Sequence, residues 1–86
     1  NAFSPNGDDV NDTWIIDRLA QHPENKVIIF NRWGDIINEF ENYDNVNVVW
    51  DGTSITGELL PSGTYFYVIE LIQEERLING WVQLTR

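Results

Sequence analysis

The chain contains no cysteine and no methionine, has a single histidine, and carries only five lysines and arginines against fourteen aspartates and glutamates. Each shortage excludes something. Without cysteine there is no thiol nucleophile, disulfide or thiolate metal site, and the redox compartment cannot be read from the sequence. A formal charge of −9 opposes binding to nucleic acid and to anionic membrane surfaces, because both depend on cationic side chains displacing counterions. No apolar run approaches the roughly 20 residues that a membrane helix needs, so direct membrane insertion is not expected. One histidine rules out a histidine-rich zinc site and leaves a Ser-His-acid arrangement dependent on His22 with Ser4, Ser54 or Ser62. His22 sits in Gln21-His22-Pro23-Glu24-Asn25, where proline and asparagine point to an exposed loop.

What is present suits a small folded module. Hydrophobic residues make up 42% of the 86, and aromatics 13%, which is ample for a packed core and argues against disorder. A chain of this length forms one domain. It buries only about 60% of its unfolded surface and leaves little volume for a deep catalytic cleft. A binding or signal module therefore fits better than an enzyme. The first residue, Asn1, follows no initiator methionine or signal-peptide pattern, so residues 1–86 are expected to be a single domain excised from a longer protein.

Isoleucine, valine, threonine and the aromatics gather in short runs separated by Gly, Asn, Asp and Pro clusters, a pattern that predicts strands. The runs are residues 13–17, 26–31, 36–40, 47–50, 64–72 and 77–85, with a short edge at 2–3. The fold class expected is all-β, an Ig-like sandwich of about seven short, mainly antiparallel strands with a Greek-key connection. Centring the last hairpin on Glu74-Glu75 would place Tyr65 opposite Leu84, Tyr67 opposite Val82 and Leu71 opposite Ile78, making that face the core. Gly80 would be a candidate bulge. Glu-Glu is a poor two-residue turn, so a slightly longer loop is expected. Arg32-Trp33-Gly34-Asp35 should turn a hairpin, with Gly34 supplying a positive φ. Tyr65, which follows the long connection through Gly57, Pro61 and Gly63, is placed to act as a tyrosine corner.

Two features carry candidate chemistry. Ser4-Pro5-Asn6-Gly7-Asp8-Asp9-Val10-Asn11-Asp12 could offer calcium the side-chain oxygens of Asn6, Asp8 and Asp12 and the carbonyl of Val10. The match to a calcium loop is incomplete: Asp9 falls where glycine makes the turn and Ile15 where a bidentate glutamate closes the cage. A solvated Asx-rich turn is the competing reading. Among the tryptophans, Trp14 and Trp50 read as core and Trp81 lies on the less apolar face of the last strand. Trp33, beside Arg32 at a hairpin tip, suits either a stacking and interface role or folding back over the end of the sandwich.

Five ordered blocks resemble the gliding-motility-associated C-terminal domain family, the type B C-terminal sorting domain of the type IX secretion system. They are Asn1-Ala2-Phe3-Ser4-Pro5-Asn6-Gly7-Asp8 with Val10-Asn11-Asp12; Val27 to Gly34; Trp50-Asp51-Gly52-Thr53; Leu60-Pro61-Ser62-Gly63-Thr64-Tyr65-Phe66-Tyr67; and Gly80-Trp81-Val82 running on to Arg86. Asp9 departs from the glycine usual in the family's NGDGxND loop. The resemblance implies a non-catalytic address that directs a large surface or secreted protein across the outer membrane, through the periplasm and on to the cell surface or medium. Its readers would be a porin-like outer-membrane partner and the translocon, with the isolated domain a monomer. Because the blocks are scattered along the chain, recognition should use a folded surface. Arg32, Trp33 and Arg86 are the residues expected to meet the partner. The alternative is a carbohydrate-binding or adhesive Ig-like module with a structural calcium loop, and a plain structural spacer is a third reading.

Overall fold

The computed structural model describes residues 2–5, 7 and 12–86. Among these residues the fold is all-β: β1 (Ala2–Phe3), β2 (Asn25–Phe30), β3 (Ile36–Glu41), β4 (Gly63–Leu71) and β5 (Arg76–Leu84), with one turn of 3-10 helix at Leu19–Gln21. The strands form a single mixed sheet in the order β1-β5-β4-β2-β3. All neighbours are antiparallel except β1 and β5, which run parallel.

Alternation explains the strands and decides their faces. Along β2 every second residue is buried, so Asn25, Val27 and Ile29 face inward while Lys26, Ile28 and Phe30 face the other way. The inner face of the sheet carries Val27, Ile29, Tyr65, Ile69, Leu71, Val82 and Leu84. Phe3, Trp14, Leu19, Tyr43 and Trp50 complete the core. Much of this second layer is therefore loop rather than strand. Two of the runs expected to be strands, 13–17 and 47–50, meet only at the isolated bridge Trp14–Trp50. The reason is local: Asp44, Asn45 and Asn47 bend the chain on one side, and on the other Arg18 adopts a left-handed φ of 65° that leads into the 3-10 turn.

Side chains replace the missing ladder. The Asn45 amide accepts from the Ile16 N–H and donates to the Ile16 carbonyl, both at 2.8 Å, as a paired strand would. Buried Asn25 joins two segments in the same way, donating to the carbonyls of His22 and Tyr43 and accepting from the Tyr43 N–H. The Tyr43 hydroxyl donates to the Trp14 carbonyl at 2.5 Å and accepts from the Trp50 N–H at 2.8 Å, tying the two bridged segments together from within the core. Burial is the main force raising the Tyr43 pKa; the Trp50 N–H opposes it and the Asp51 and Asp44 carboxylates add to it.

The β4–β5 hairpin corrects one expectation. Tyr65 lies opposite Val82, Tyr67 opposite Gly80 and Ile69 opposite Ile78, a slip of two residues from the register centred on Glu74-Glu75. The closing pair Leu71–Arg76 leaves a four-residue loop at 72–75, longer than a two-residue turn as expected, with Glu75 at φ 50°. A two-residue slip keeps every side chain on its face, which is why the core face was read correctly from the wrong register. Gly80 is continuously paired in β5 and forms no bulge there. Its role is to leave room: a Cβ at Gly80 would come within 2.5 Å of the Tyr67 hydroxyl, because the tyrosine ring lies across the glycine.

Exposed Asp44 organises the loop between β3 and the Trp50 bridge. One carboxylate oxygen accepts the N–H groups of Val46, Asn47 and Val48 at 2.8–2.9 Å. These bonds, that from Val48 foremost, hold its pKa below the ordinary carboxylate value. A depressed acid contributes stability that is complete above its unfolded pKa of about 3.9 and is lost as pH falls through the lower folded value. Asp44→Asn should therefore flatten the acid limb of the Tm–pH profile below about pH 4. An unchanged acid limb in that variant would show that the turn is not titrating.

Candidate functional site

Strand directions gather distant parts of the sequence at one end of the sheet. The end of β2, the start of β4 and the end of β5 are adjacent, since Phe30 pairs with Phe66 and Gly63 with Leu84. β1 finishes there too, with Phe3 beside Leu84. The hairpin tip 31–34, the segment 60–63, the turn 51–53 and Arg86 consequently converge.

The tip is built by Asn31. Its side-chain oxygen accepts the N–H groups of Trp33 and Asp35, each at 3.0 Å, and its backbone closes the turn with Gly34 and Asp35. Gly34 has φ 85°, as the sequence required. The turn holds Trp33 out at 72% exposure, with the Arg32 guanidinium carbon 4.4 Å from its ring centroid. A cation over an indole is attractive and keeps a flat, amphipathic surface presented to solvent. Between this tip and residues 61–65 lies a groove of about 280 Å³, walled by Asn31, Arg32 and Trp33 on one side and Pro61, Ser62, Gly63, Thr64 and Tyr65 on the other.

The far wall is held by Tyr65 and Arg86. The Tyr65 hydroxyl donates to the Pro61 carbonyl at 2.7 Å, the tyrosine-corner bond foreseen in the sequence. Burial raises its pKa, and the nearby Arg86 cation partly offsets this. The Arg86 backbone N–H donates to the Ser62 hydroxyl at 2.8 Å, while its guanidinium donates to the carbonyls of Gly52 (2.6 Å) and Leu60. Gly52 also accepts the Leu60 N–H. Two loops that are separate in sequence are thus clamped by the last side chain of the chain, which is itself exposed.

Arg32, Trp33 and Arg86 therefore lie at the same end, Arg32 and Trp33 lining the groove and Arg86 bracing its opposite wall. Of the calcium candidates, Asn6, Asp8 and Val10 lie outside the described residues. Asp12 is described, and its carboxylate accepts the Gly7 N–H at 3.1 Å. Among the described residues no cluster of three metal-ligating His, Cys, Asp or Glu side chains occurs. His22 is at the other end of the sheet, its Nδ1 3.0 Å from a Glu74 carboxylate oxygen and remote in topology from Ser62. Trp14 and Trp50 are core and Trp81 is exposed, as the faces implied. Sequence reasoning missed the clamp. Arg86 and Gly52 are 34 residues apart, and no local pattern marks their contact.

Among the described residues, then, the protein is an all-β module with a preformed loop surface at one sheet end. The particular family is shown by sequence: residues 1–84 match the CHU_C Type IX secretion signal domain, and the chain belongs to that family. Its role is that of a sorting signal of the type IX secretion system, for export across the outer membrane, and the family is a non-catalytic one. Among solved structures the fold is similar to part of PorZ, described as an essential bacterial surface component of the type-IX secretion system of Porphyromonas gingivalis. That likeness has a TM-score of 0.57 at 17% identity, over 73% of this chain and 8% of PorZ. No curated protein gives a significant match.

Proposed function

We propose that the domain is a single folded unit, carried at the C-terminus of a longer exported protein, and that its groove end is the address. The observation that carries this reading is the convergence of four family blocks, scattered from residue 27 to residue 86, around Arg32, Trp33, Gly52, Pro61 and Arg86. Several blocks have a structural task within that end: Gly52 and Leu60 receive Arg86, and Tyr65 fixes Pro61. What they jointly present is an exposed Trp33–Arg32 pair over a groove. A porin-like outer-membrane partner and the translocon are the readers in this account. The domain passes as a monomer through the periplasm and then to the cell surface or medium. The loop layer carrying the Trp14–Trp50 bridge is, in the same reading, a reduced second sheet of an Ig-like Greek-key sandwich.

A reporter with a periplasmic signal peptide, a fluorescent protein and this domain last, expressed in a gliding bacterium with its cognate partner, tests the reading. Reporter should reach the surface or medium only when the type IX machinery is intact. Retention in the periplasm with the domain folded and the machinery present would overturn it. The exposure of Trp33 beside a groove favours one second reading, a sugar-stacking module. Binding of the isolated domain to a glycan array, abolished by Trp33→Ala, would select it.

A further inference from the structure

The groove at the site end exists because β2 leaves the sheet before β4 does. Bonds between these strands fall on alternate residues. The Ile72 N–H donates to the Glu24 carbonyl, so it is Glu70, Val68 and Phe66 whose backbone groups bond to β2, opposite Lys26, Ile28 and Phe30. Thr64 is next in that series, and the register would set Arg32 against it. Arg32 instead lies in the turn that Asn31 builds. The Thr64 N–H and C=O therefore face the groove, where no strand pairs with them among the described residues. The other side of β4 is complete, since Gly63 and Tyr65 pair with Leu84 and Val82 of β5. A rung of strand pairing is thus open on an interior strand, in a slot of about 280 Å³.

Charge selects the occupant. Arg18 and Lys26 lie against the carboxylates of Asp17 and Glu39, and Arg86 is engaged by the carbonyls of Gly52 and Leu60. Arg32 differs: its guanidinium is held over the Trp33 ring, and among the described residues no carboxylate comes within ion-pair distance of it. Stacking occupies the face of a guanidinium and leaves its N–H donors, which lie in its plane, free to grip a carboxylate in bidentate fashion. None of the groove walls is Asp or Glu, although fourteen of the 86 residues are acidic. Beside Arg32 the walls add the Thr64 N–H and the Ser62 hydroxyl, which accepts from the Arg86 N–H and keeps its own proton to give. A cation entering this slot would meet Arg32 with nothing to pair it. The overall charge of −9 in turn opposes a run of acids, so the occupant that fits is an apolar segment with a single carboxylate.

We propose that the groove receives an extended, apolar segment of the secretion partner bearing one carboxylate, with Arg32 taking the carboxylate and Thr64 the backbone of the segment, in the place that β2 vacates. This rests on the secretion-signal reading and names the chemistry that its groove end reads. Trp33 has two tasks in this arrangement: it positions the guanidinium and offers its own surface to the segment.

The test has a binding arm and an export arm. The reporter fusion is titrated by calorimetry with three short peptides, blocked at both ends and alike in their flanking valines, whose central residue is glutamate, glutamine or lysine. Expected is tighter binding of the glutamate peptide by about ten-fold or more, with the difference abolished in Arg32→Gln at unchanged Tm. Thr64→Pro removes the groove-facing N–H and spares the β5 ladder, so it should weaken that peptide by about ten-fold, whereas Thr64→Ala, which keeps the N–H, should not. Equal binding of the three peptides, preference for lysine, a glutamate preference that survives Arg32→Gln, or no binding up to about 10 mM would overturn the proposal. In the reporter assay Arg32→Gln should lower export by about ten-fold, and Arg32→Lys, which keeps the charge without the fork, by less. Wild-type export with Arg32→Gln exported equally well would sink this inference and leave the signal reading standing. Absence of wild-type export would sink the signal reading, and the peptide titration would still decide what the groove takes.

Discussion

Tyr43→Phe is expected to destabilise the domain by about 2–4 kcal/mol, because one hydroxyl serves two buried backbone groups at once. Removing it leaves the Trp14 carbonyl and the Trp50 N–H without their shared partner, in a site where Tyr43 is 1% and Trp50 0% exposed. Desolvating each orphaned group costs about 1–3 kcal/mol, while the ring and its edge contacts with Trp14 and Phe40 survive the substitution. For a domain of this size the loss corresponds to a Tm lower by very roughly 10–25 °C. Urea unfolding measures it directly. A loss below about 0.5 kcal/mol would mean that water or a local shift replaces the hydroxyl, and that the bridge is not held by it.

Gly52→Ala should be nearly as costly, for two separable reasons. Gly52 has φ 87°, where a side chain costs about 1–2 kcal/mol. Its new Cβ would also lie 2.9 Å from the Arg86 guanidinium, 3.1 Å from Leu84 Cδ1 and 3.3 Å from Pro5 Cγ. Arg86 is flexible but engaged, and Leu84 is fully buried, so the neighbours yield only by breaking the clamp. Gly34→Ala supplies the comparison: it has φ 85° with nothing within 4 Å of the added Cβ, so it reports the backbone cost alone. Gly52→Ala should exceed Gly34→Ala by about 1–2 kcal/mol, the size of an overpacking penalty. Equal losses would show that Arg86 does not hold these loops together.

Which parts of this were legible follows from how local each cause is. The hairpin tip was read correctly because glycine at a positive φ and its turn partners are adjacent in sequence. The core face of β4 and β5 was read correctly because face depends on parity alone. Register was not, since it depends on which of several polar residues, 72–75, close the loop. Segments 13–17 and 47–50 have strand composition, yet Asn45, Asp44 and Arg18 draw the chain into turns on either side, so a bridge forms in place of a ladder. Tyr43 and Asn25 sit in stretches that look like polar loop, and only the tertiary fold shows them buried. At the candidate site Arg32 and Trp33 were legible as neighbours at a turn, while the choice between an exposed Trp33 and one folded back over the sheet end required the fold, which leaves it 72% exposed. Arg86 was visible as a terminal cation, but its grip on Gly52 and Leu60 required the fold.

The central claim is that the address is a folded surface, and it is tested most directly by exporting three versions of the reporter side by side. These are the wild-type domain, the double substitution Arg32→Ala with Trp33→Ala, and Tyr43→Phe assayed above its Tm. The account predicts export for the wild type, and loss by about ten-fold or more for the double variant even though its Tm is unchanged. It predicts the same loss for unfolded Tyr43→Phe, despite an intact Arg32-Trp33 sequence. Efficient export of the unfolded variant would show a linear peptide signal, and efficient export of the folded double variant would place the recognised surface elsewhere.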